Sequence, residues 1–311
     1  MQHTITGWPG GKPNADDSQR PERAQPAQKR SIIFSPHPDD DVISMGGTFI
    51  RLVDQGHDVH VAYQTSGNTA VWDDDVLRFV EFAIDFNQSI GEDNSKLKQI
   101  YEDMRAFIPT KKPNQVDTKE IRDVKGFIRK TEAISGARYA GLPDSNIHFM
   151  ALPFYETGKI KKNTAGEADI RLTMELLQKV KPQQVFAAGD FADPNGTHLV
   201  CFNIIVAALN RLKVTEDWVK DCWLWMYRGA WHEFETHEIE MAVPLSPQEV
   251  IRKRNAIFKH QSQKDRPVFP GDDAREFWVR AEDRTRETAQ NYDKLGMAEY
   301  EAMEAFVRYH F

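Results

Sequence analysis

This 311-residue sequence predicts an open α/β fold, Rossmann-like, with a mainly parallel sheet and helices on both faces. Three observations predict it. Ile32-Ile33-Phe34 and Val59-His60-Val61-Ala62-Tyr63 are short apolar runs of the kind a doubly covered strand requires. Between them Val42, Met45, Phe49, Leu52 and Val53 recur at helical spacing. The alternation returns downstream, with a helix over 171–180, a strand at Val185-Phe186-Ala187-Ala188 and a helix over 199–212.

In chain order, residues 1–30 read as a linker or arm. The stretch from Trp8-Pro9-Gly10-Gly11 onward is polar and proline-rich and buries too little apolar surface to offset its ordering entropy. A linker in that place is expected of the downstream part of a longer polypeptide. A single domain is expected over 31–311. Strand, helix and strand over 32–63, with Gly56 as the helix stop, form a right-handed β-α-β unit. The polar stretch 69–126, with helical patches over 76–86 and 97–107, reads as a helical insertion at the sheet edge. Alternating apolar residues over 238–243 precede long charged helices, a helical C-terminal extension.

Composition narrows the function classes. Apolar residues at 40% and charged residues at 28% exclude collagen, a coiled coil and wholesale disorder. A net charge of −7 argues against a nucleic-acid surface. No run approaches the roughly 18 consecutive apolar residues of a membrane span. Met1-Gln2-His3-Thr4 has neither the basic nor the apolar region of a secretory signal. Cys201 and Cys222 are too few for a disulfide framework, so a reducing cytoplasm is expected. A homo-oligomer is compatible with all of this.

Chemistry concentrates at Ser35-Pro36-His37-Pro38-Asp39-Asp40-Asp41, between the first strand and a helix holding Gly46-Gly47. Ligands in open α/β sheets bind beyond the carboxyl ends of the strands. Three adjacent carboxylates repel one another, and a cation is their natural partner. Histidine beside carboxylate suits zinc; magnesium prefers oxygens alone. Helix capping accounts for one or two of the aspartates but not for the histidine and both prolines. A metal needs further ligands. The segment from Asp190 to His198 follows the strand at 185–188 and puts His198 on the same rim as His37. His57, His60 and His148 lie in or beside strands and read as packed or solvated.

His37-Pro38-Asp39-Asp40, followed by Gly46-Gly47, resembles the H-P-D-D-E signature of the PIG-L/LmbE-like zinc deacetylases, which act on N-acetylated amino sugars. Thr65-Ser66-Gly67, Arg129-x-x-Glu132-Ala133, Phe149-x-x-Leu152-Pro153 and His260-Gln261-Ser262-Gln263 are similar to further segments of that family. The resemblance implies a Zn2+ ion, or another divalent metal, on His37, Asp40 and His198, with Asp39 as general base. Asp41 stands where the family has Glu, and Asn195 where its second motif has His. Asn195 or Arg129 would then support the oxyanion. Asp41, Asp193, Trp231 and His260 are the expected substrate contacts, and Trp223 and Trp225 read as core. The opening linker, residues 34–48, Trp231-His232-Glu233, 259–264 and 276–280 resemble a module joined to glucosamine-6-phosphate deaminase. That points to N-acetylglucosamine or its 6-phosphate, the phosphate held by Arg129 or Arg252-Lys253-Arg254, and to a deaminase domain as partner. The thirty residues before Ser31 are too few to hold the deaminase. The rivals are a non-catalytic sugar-binding or regulatory module and a metal-dependent hydrolase of another amide or ester. A general base beside three ligands favours catalysis.

Overall fold

The computed structural model describes residues 28–159, 162–229, 231–264, 268–269, 271 and 273–311. The expected linker, apart from its last three residues, lies outside the described residues. The strands are β1 (Arg30–Ser35), β2 (Asp58–Tyr63), β3 (Ile147–Phe149), β4 (Gln184–Ala188), β5 (Trp223–Tyr227), β6 (Met241–Leu245) and β7 (Ala302–Tyr309). They form one sheet in the order β3-β2-β1-β4-β5-β7-β6. β1 to β5 pair in parallel, whereas β7 runs antiparallel to β5 and β6. The helices are α1 (Asp40–Asp54), α2 (Asp73–Ser89), α3 (Ser95–Phe107), α4 (Lys119–Tyr139), α5 (Glu167–Val180), α6 (Thr197–Thr215), α7 (Pro247–Ile257) and α8 (Phe277–Lys294).

Strand pleating sends successive side chains to opposite faces, and here both faces are covered. Ile33, Val61, Phe186 and Trp225 pack with Val42 and Phe49 of α1, Ala133 of α4, Val250 of α7 and Ala281 of α8. Ile32, Phe34, Val185 and Leu224 face the other way, onto Leu177 of α5 and Leu209 and Leu212 of α6. α6 is long and apolar enough to cross a membrane, but half of its apolar window is buried inside the protein, as in a core helix. α2 and α3 build a small cluster of their own with α4, from Val76, Val80, Met104 and Ile121.

The chain steps from β1 outward through β2 to β3, then returns beside β1 as β4 and steps the other way to β5. The winding therefore reverses between β1 and β4. Loops leaving those two strands diverge there and open a crevice at the carboxyl rim.

One expectation needs correction. The C-terminal extension is helical only through α8; the chain then re-enters the sheet as β7, between β5 and β6. Glu304 in the middle of β7 interrupts its apolar pattern, yet it is 1% exposed. Its carboxylate takes the Lys253 ammonium at 2.7 Å and the backbone N–H groups of Gly47 and Thr48 at 3.0 and 2.6 Å. Those two donors are available because α1 departs from helical geometry at Met45 (φ −132°, ψ 27°). Gly46-Gly47 lies in this packing, against Lys253, Leu245 and Glu304. A Cβ on Gly47 would come within 2.6 Å of Leu245 in β6.

Candidate active site

The loop after β1 is pinned from three sides. Thr65 Oγ1 donates to the Pro36 carbonyl at 2.7 Å, and an Arg129 guanidinium nitrogen donates to the Pro38 carbonyl at 2.8 Å. Gly67 (φ +63°) lies against both: a Cβ there would sit 3.0 Å from Pro38 and 3.2 Å from Arg129 Nε, so the Thr-Ser-Gly segment needs its glycine. Asp39 itself has φ +155° and ψ −23°, a backbone conformation that L-residues rarely adopt. From this turn the Asp39 carboxylate goes to Arg129 and the Asp40 carboxylate to His37 and His198.

Asp40 folds back so that its Oδ2 accepts from the His37 backbone N–H at 2.8 Å. The same oxygen lies 3.2 Å from His37 Nδ1 and 3.2 Å from His198 Nε2. One ligand atom from each of the three residues falls within 4.8 Å of the others. His198 Nδ1 stands 3.0 Å from the Asp190 carbonyl, which can only accept, so Nδ1 carries the hydrogen. Nε2 is then the nitrogen turned to Asp40, and apart from that carboxylate it is buried without a partner. A carboxylate facing two imidazole nitrogens fits a divalent cation of the zinc type. Burial opposes ionisation of Asp40, but His198 and His37 outweigh it and hold the carboxyl well below its usual range. Burial also opposes charge on His198, yet Asp40 pushes that imidazole up to about 10. A bare carboxylate at this spot demands positive charge, from a proton if not from a metal.

Asp39 is 5% exposed, and its Oδ1 lies 3.0 Å from the Arg129 guanidinium. Desolvation raises it to about 6, with Arg129 limiting the rise. Asp39, His37, Asp40 and His198 line one cavity together with Arg129, Tyr155, Asn195, Trp231 and Gln263.

Asn195, expected at the oxyanion, lines that cavity, as does Trp231 among the expected substrate contacts. Asp193 lines it too, but both its oxygens accept backbone N–H groups, of Asn195 on one and of Thr197 and His198 on the other, so it acts as the cap that opens α6. Asp41 does not reach the cavity. It is fully buried behind the loop, where Tyr63 Oη donates to it at 3.1 Å and burial raises its carboxyl to about 7. His260 is likewise packed under the loop, 1% exposed, and burial lowers it to about 3; Gln263 from the same segment reaches the cavity instead. The Arg252-Lys253-Arg254 run is not a phosphate site either. Arg252 pairs with Asp54, Lys253 with Glu304 and Arg254 with Glu282.

Tyr155 escaped sequence reasoning. Its ring meets His37 edge to face at 6.0 Å, and its hydroxyl is 2.8 Å from Thr69 Oγ1. The available signal was an aromatic two residues past Leu152-Pro153. Asp190 has a double role that the sequence does not display. Besides orienting His198 through its carbonyl, Asp190 accepts on its carboxylate from the Trp231 and His232 N–H groups at 2.6 and 2.8 Å, coupling His198 to the aromatic wall. A separate hollow of about 410 Å³ opens at the opposite rim, near Lys29, His57 and Asn146, and gathers no comparable set of groups.

A doubly covered, mainly parallel sheet with a buried nitrogen-and-oxygen cluster at its winding reversal defines an α/β protein with a candidate metal centre. The chain belongs to the PIG-L family: the family model described as GlcNAc-PI de-N-acetylase matches residues 32–209. Membership supports a hydrolytic deacetylase. The chain is 56% identical over 311 residues to a glucosamine-6-phosphate deaminase-like protein of Bacteroides thetaiotaomicron, a match covering 99% of this chain and 47% of that protein. It thus spans about half the length of that relative. Among solved structures, N,N′-diacetylchitobiose deacetylase from Pyrococcus horikoshii superposes with a TM-score of 0.53 at 19% identity, over 94% of this chain and 87% of that one. The 4-carboxy-2-hydroxymuconate hydratase from Pseudomonas putida gives 0.56 at 14% identity, over 91% and 97%. Both show the fold. A deacetylase and a hydratase share it, so activity has to be argued from the site.

Proposed function

We propose that this chain is a zinc-dependent hydrolase that removes the acetyl group from an N-acetylated amino sugar. The observation that carries the reading is the buried cluster of His198 Nε2, Asp40 and His37, one residue from a carboxylate held by Arg129. Family membership supports the acyl chemistry. His37, Asp40 and His198 would hold the metal, which when bound polarises an amide carbonyl and acidifies a coordinated water. Asp39, raised toward neutrality by burial, accepts the proton of the attacking water and returns it to the departing amine. Arg129 keeps Asp39 aimed and ionisable, so it orients the base instead of supporting the oxyanion. Asn195, at the cavity wall, is the side chain placed to donate to the developing oxyanion. Trp231 offers an aromatic wall for the sugar ring.

Among the described residues, Arg129 is the Lys or Arg that lines the cavity and is already engaged by Asp39 and Pro38, so a 6-phosphate would draw on Lys162, whose ammonium lies 3.6 Å over the ring of the lining Tyr155. The name of the Bacteroides relative suggests the use of the product: a deaminase acting on an amino sugar needs the free amine that deacetylation exposes.

The test is acetate release from a panel of N-acetylated sugars, with metal content measured on the same sample. Turnover with one zinc per chain is expected; His198→Ala and His37→Ala abolish both, while His57→Ala retains both. Stoichiometric zinc in the double variant of His37 and His198 would overturn the ligand assignment.

A further inference from the structure

α2 has two apolar faces. Val76 and Val80 point inward and pack with Met104 and Ile121. Phe79, Phe82 and Phe86, spaced by three and four residues, form a second stripe on the outer side, where they are 40%, 67% and 53% exposed. The Phe82 and Phe86 rings stack on each other at 6.3 Å, and the Arg78 guanidinium lies 5.4 Å over the Phe79 ring. A helix that meets only water on its outer side carries polar residues there, so three phenylalanines on one line mark a surface that another surface covers. The helix is held in place from below. The two carboxylate oxygens of Asp73, in its first turn, take Lys111 at 2.6 Å and Lys125 at 2.7 Å.

The charges beside the stripe identify the covering surface. Arg78 and Asp85 stand seven residues apart, about two turns, and so lie on the same flank. The Arg78 side chain is 68% exposed and reaches Asp75 at 2.8 Å; Asp85 is exposed and makes no ion pair among the described residues. A second α2 laid antiparallel on the first, with a two-fold axis beside Phe82, brings Arg78 of each copy to Asp85 of the other. The same operation sets Phe79 against Phe86 of the other copy and the two Phe82 rings against each other at the axis. Opposite charges then close both ends of an apolar centre, as a self-complementary contact requires. Six rings that are about half exposed bring roughly 600 Å² to this contact. The flanks extend it toward ~1,200 Å², the low end of specific interfaces, which sets a reversible association.

We propose that the outer face of α2 is the two-fold contact of a homodimer, made with the antiparallel α2 of a second copy of this chain. The test is sedimentation velocity on the full chain over about 1–400 µM, the range in which a contact of this size dissociates. A monomer–dimer equilibrium is expected, and Phe82→Ser should weaken it at least about tenfold. That variant stays folded, because α2 is anchored by its inner face; a urea midpoint on dilute protein checks this. The charge pairs test the register. Arg78→Asp alone and Asp85→Arg alone each set like charges against one another at both ends, and each should weaken self-association about fivefold or more. Mixed in equal amounts, the two variants present opposite charges at both ends and should associate as the unsubstituted chain does. A monomer at every concentration overturns the proposal, in favour of a different protein or domain on the stripe. Association that Phe82→Ser leaves intact overturns it as well, as does a mixture of the charge variants that associates no more tightly than either alone.

Discussion

Asp39 and Asp40 are neighbours in sequence and similarly buried, yet their surroundings drive them apart. Two imidazoles hold Asp40 ionised, whereas desolvation outweighs Arg129 and raises Asp39 to about 6. One is thereby suited to bind a cation and the other to exchange a proton. Asp39→Asn should keep the fold and the metal while lowering turnover about 10²–10⁴-fold, the usual worth of a general base. Loss of metal in that variant would make Asp39 a ligand and require new roles. Single residues were legible in the sequence where spacing dictates direction. His37 and Asp40 sit in a stiffened turn, and His198 opens a helix on the same rim. Asp41 and His260 were not legible, because their roles depend on which way a side chain points. Asp41 faces inward from the first turn of α1, onto Ser35 and Tyr63, and the segment after α7 sends Gln263 to the cavity in place of His260.

At the scale of elements, β1, α1, β2, β4 and α6 could be read directly from apolar spacing, because a doubly covered sheet leaves continuous apolar strands. β7 could not, since tertiary pairing overrides its pattern: a glutamate in mid-strand becomes tolerable only when Lys253 of α7 and the kinked turn of α1 converge on it. That convergence ties three elements together. Glu304→Ala leaves the Lys253 charge and two N–H groups buried without partners and should cost about 3–5 kcal/mol, read as a lower urea midpoint. Replacing both partners, as Lys253→Met with Glu304→Leu, should cost much less, because no uncompensated charge remains. An equal loss in the two variants would show that volume, not charge, holds the site. α2 offers the contrast. Phe79, Phe82 and Phe86 are 40%, 67% and 53% exposed along one side, so Phe82→Ser should change stability by less than about 0.5 kcal/mol.

For the whole molecule, the sheet order places the site: only the reversal between β1 and β4 brings His37 and Asp40 within reach of a histidine some 160 residues later. The opposite end of the sheet carries a different chemistry, and it predicts how stability responds to acid. His60 and His148 stack at 5.2 Å on β2 and β3, with His60 Nδ1 and His148 Nε2 2.9 Å apart. Asp58 faces His60 at 3.3 Å, and Lys179 adds positive charge nearby. Burial, then the His60 ring and Lys179, lower His148 to about 4. Its ordinary value, kept in the unfolded chain, is 6.5. Between those two values the unfolded chain binds a proton that the folded chain refuses, so this group's stabilisation is full above about 6.5 and declines as the pH falls toward about 4. Raised carboxyls act in the opposite sense over part of the same window, Glu233 being pushed up to about 7 by burial, so the total curve does not isolate the histidine. The difference between wild type and His148→Gln does, because Glu233 is common to both. Urea midpoints measured at pH 7.5 and pH 5 should show the wild type losing ground to the variant on acidification. A constant difference across that range would place His148 in water, titrating as it does in the unfolded chain.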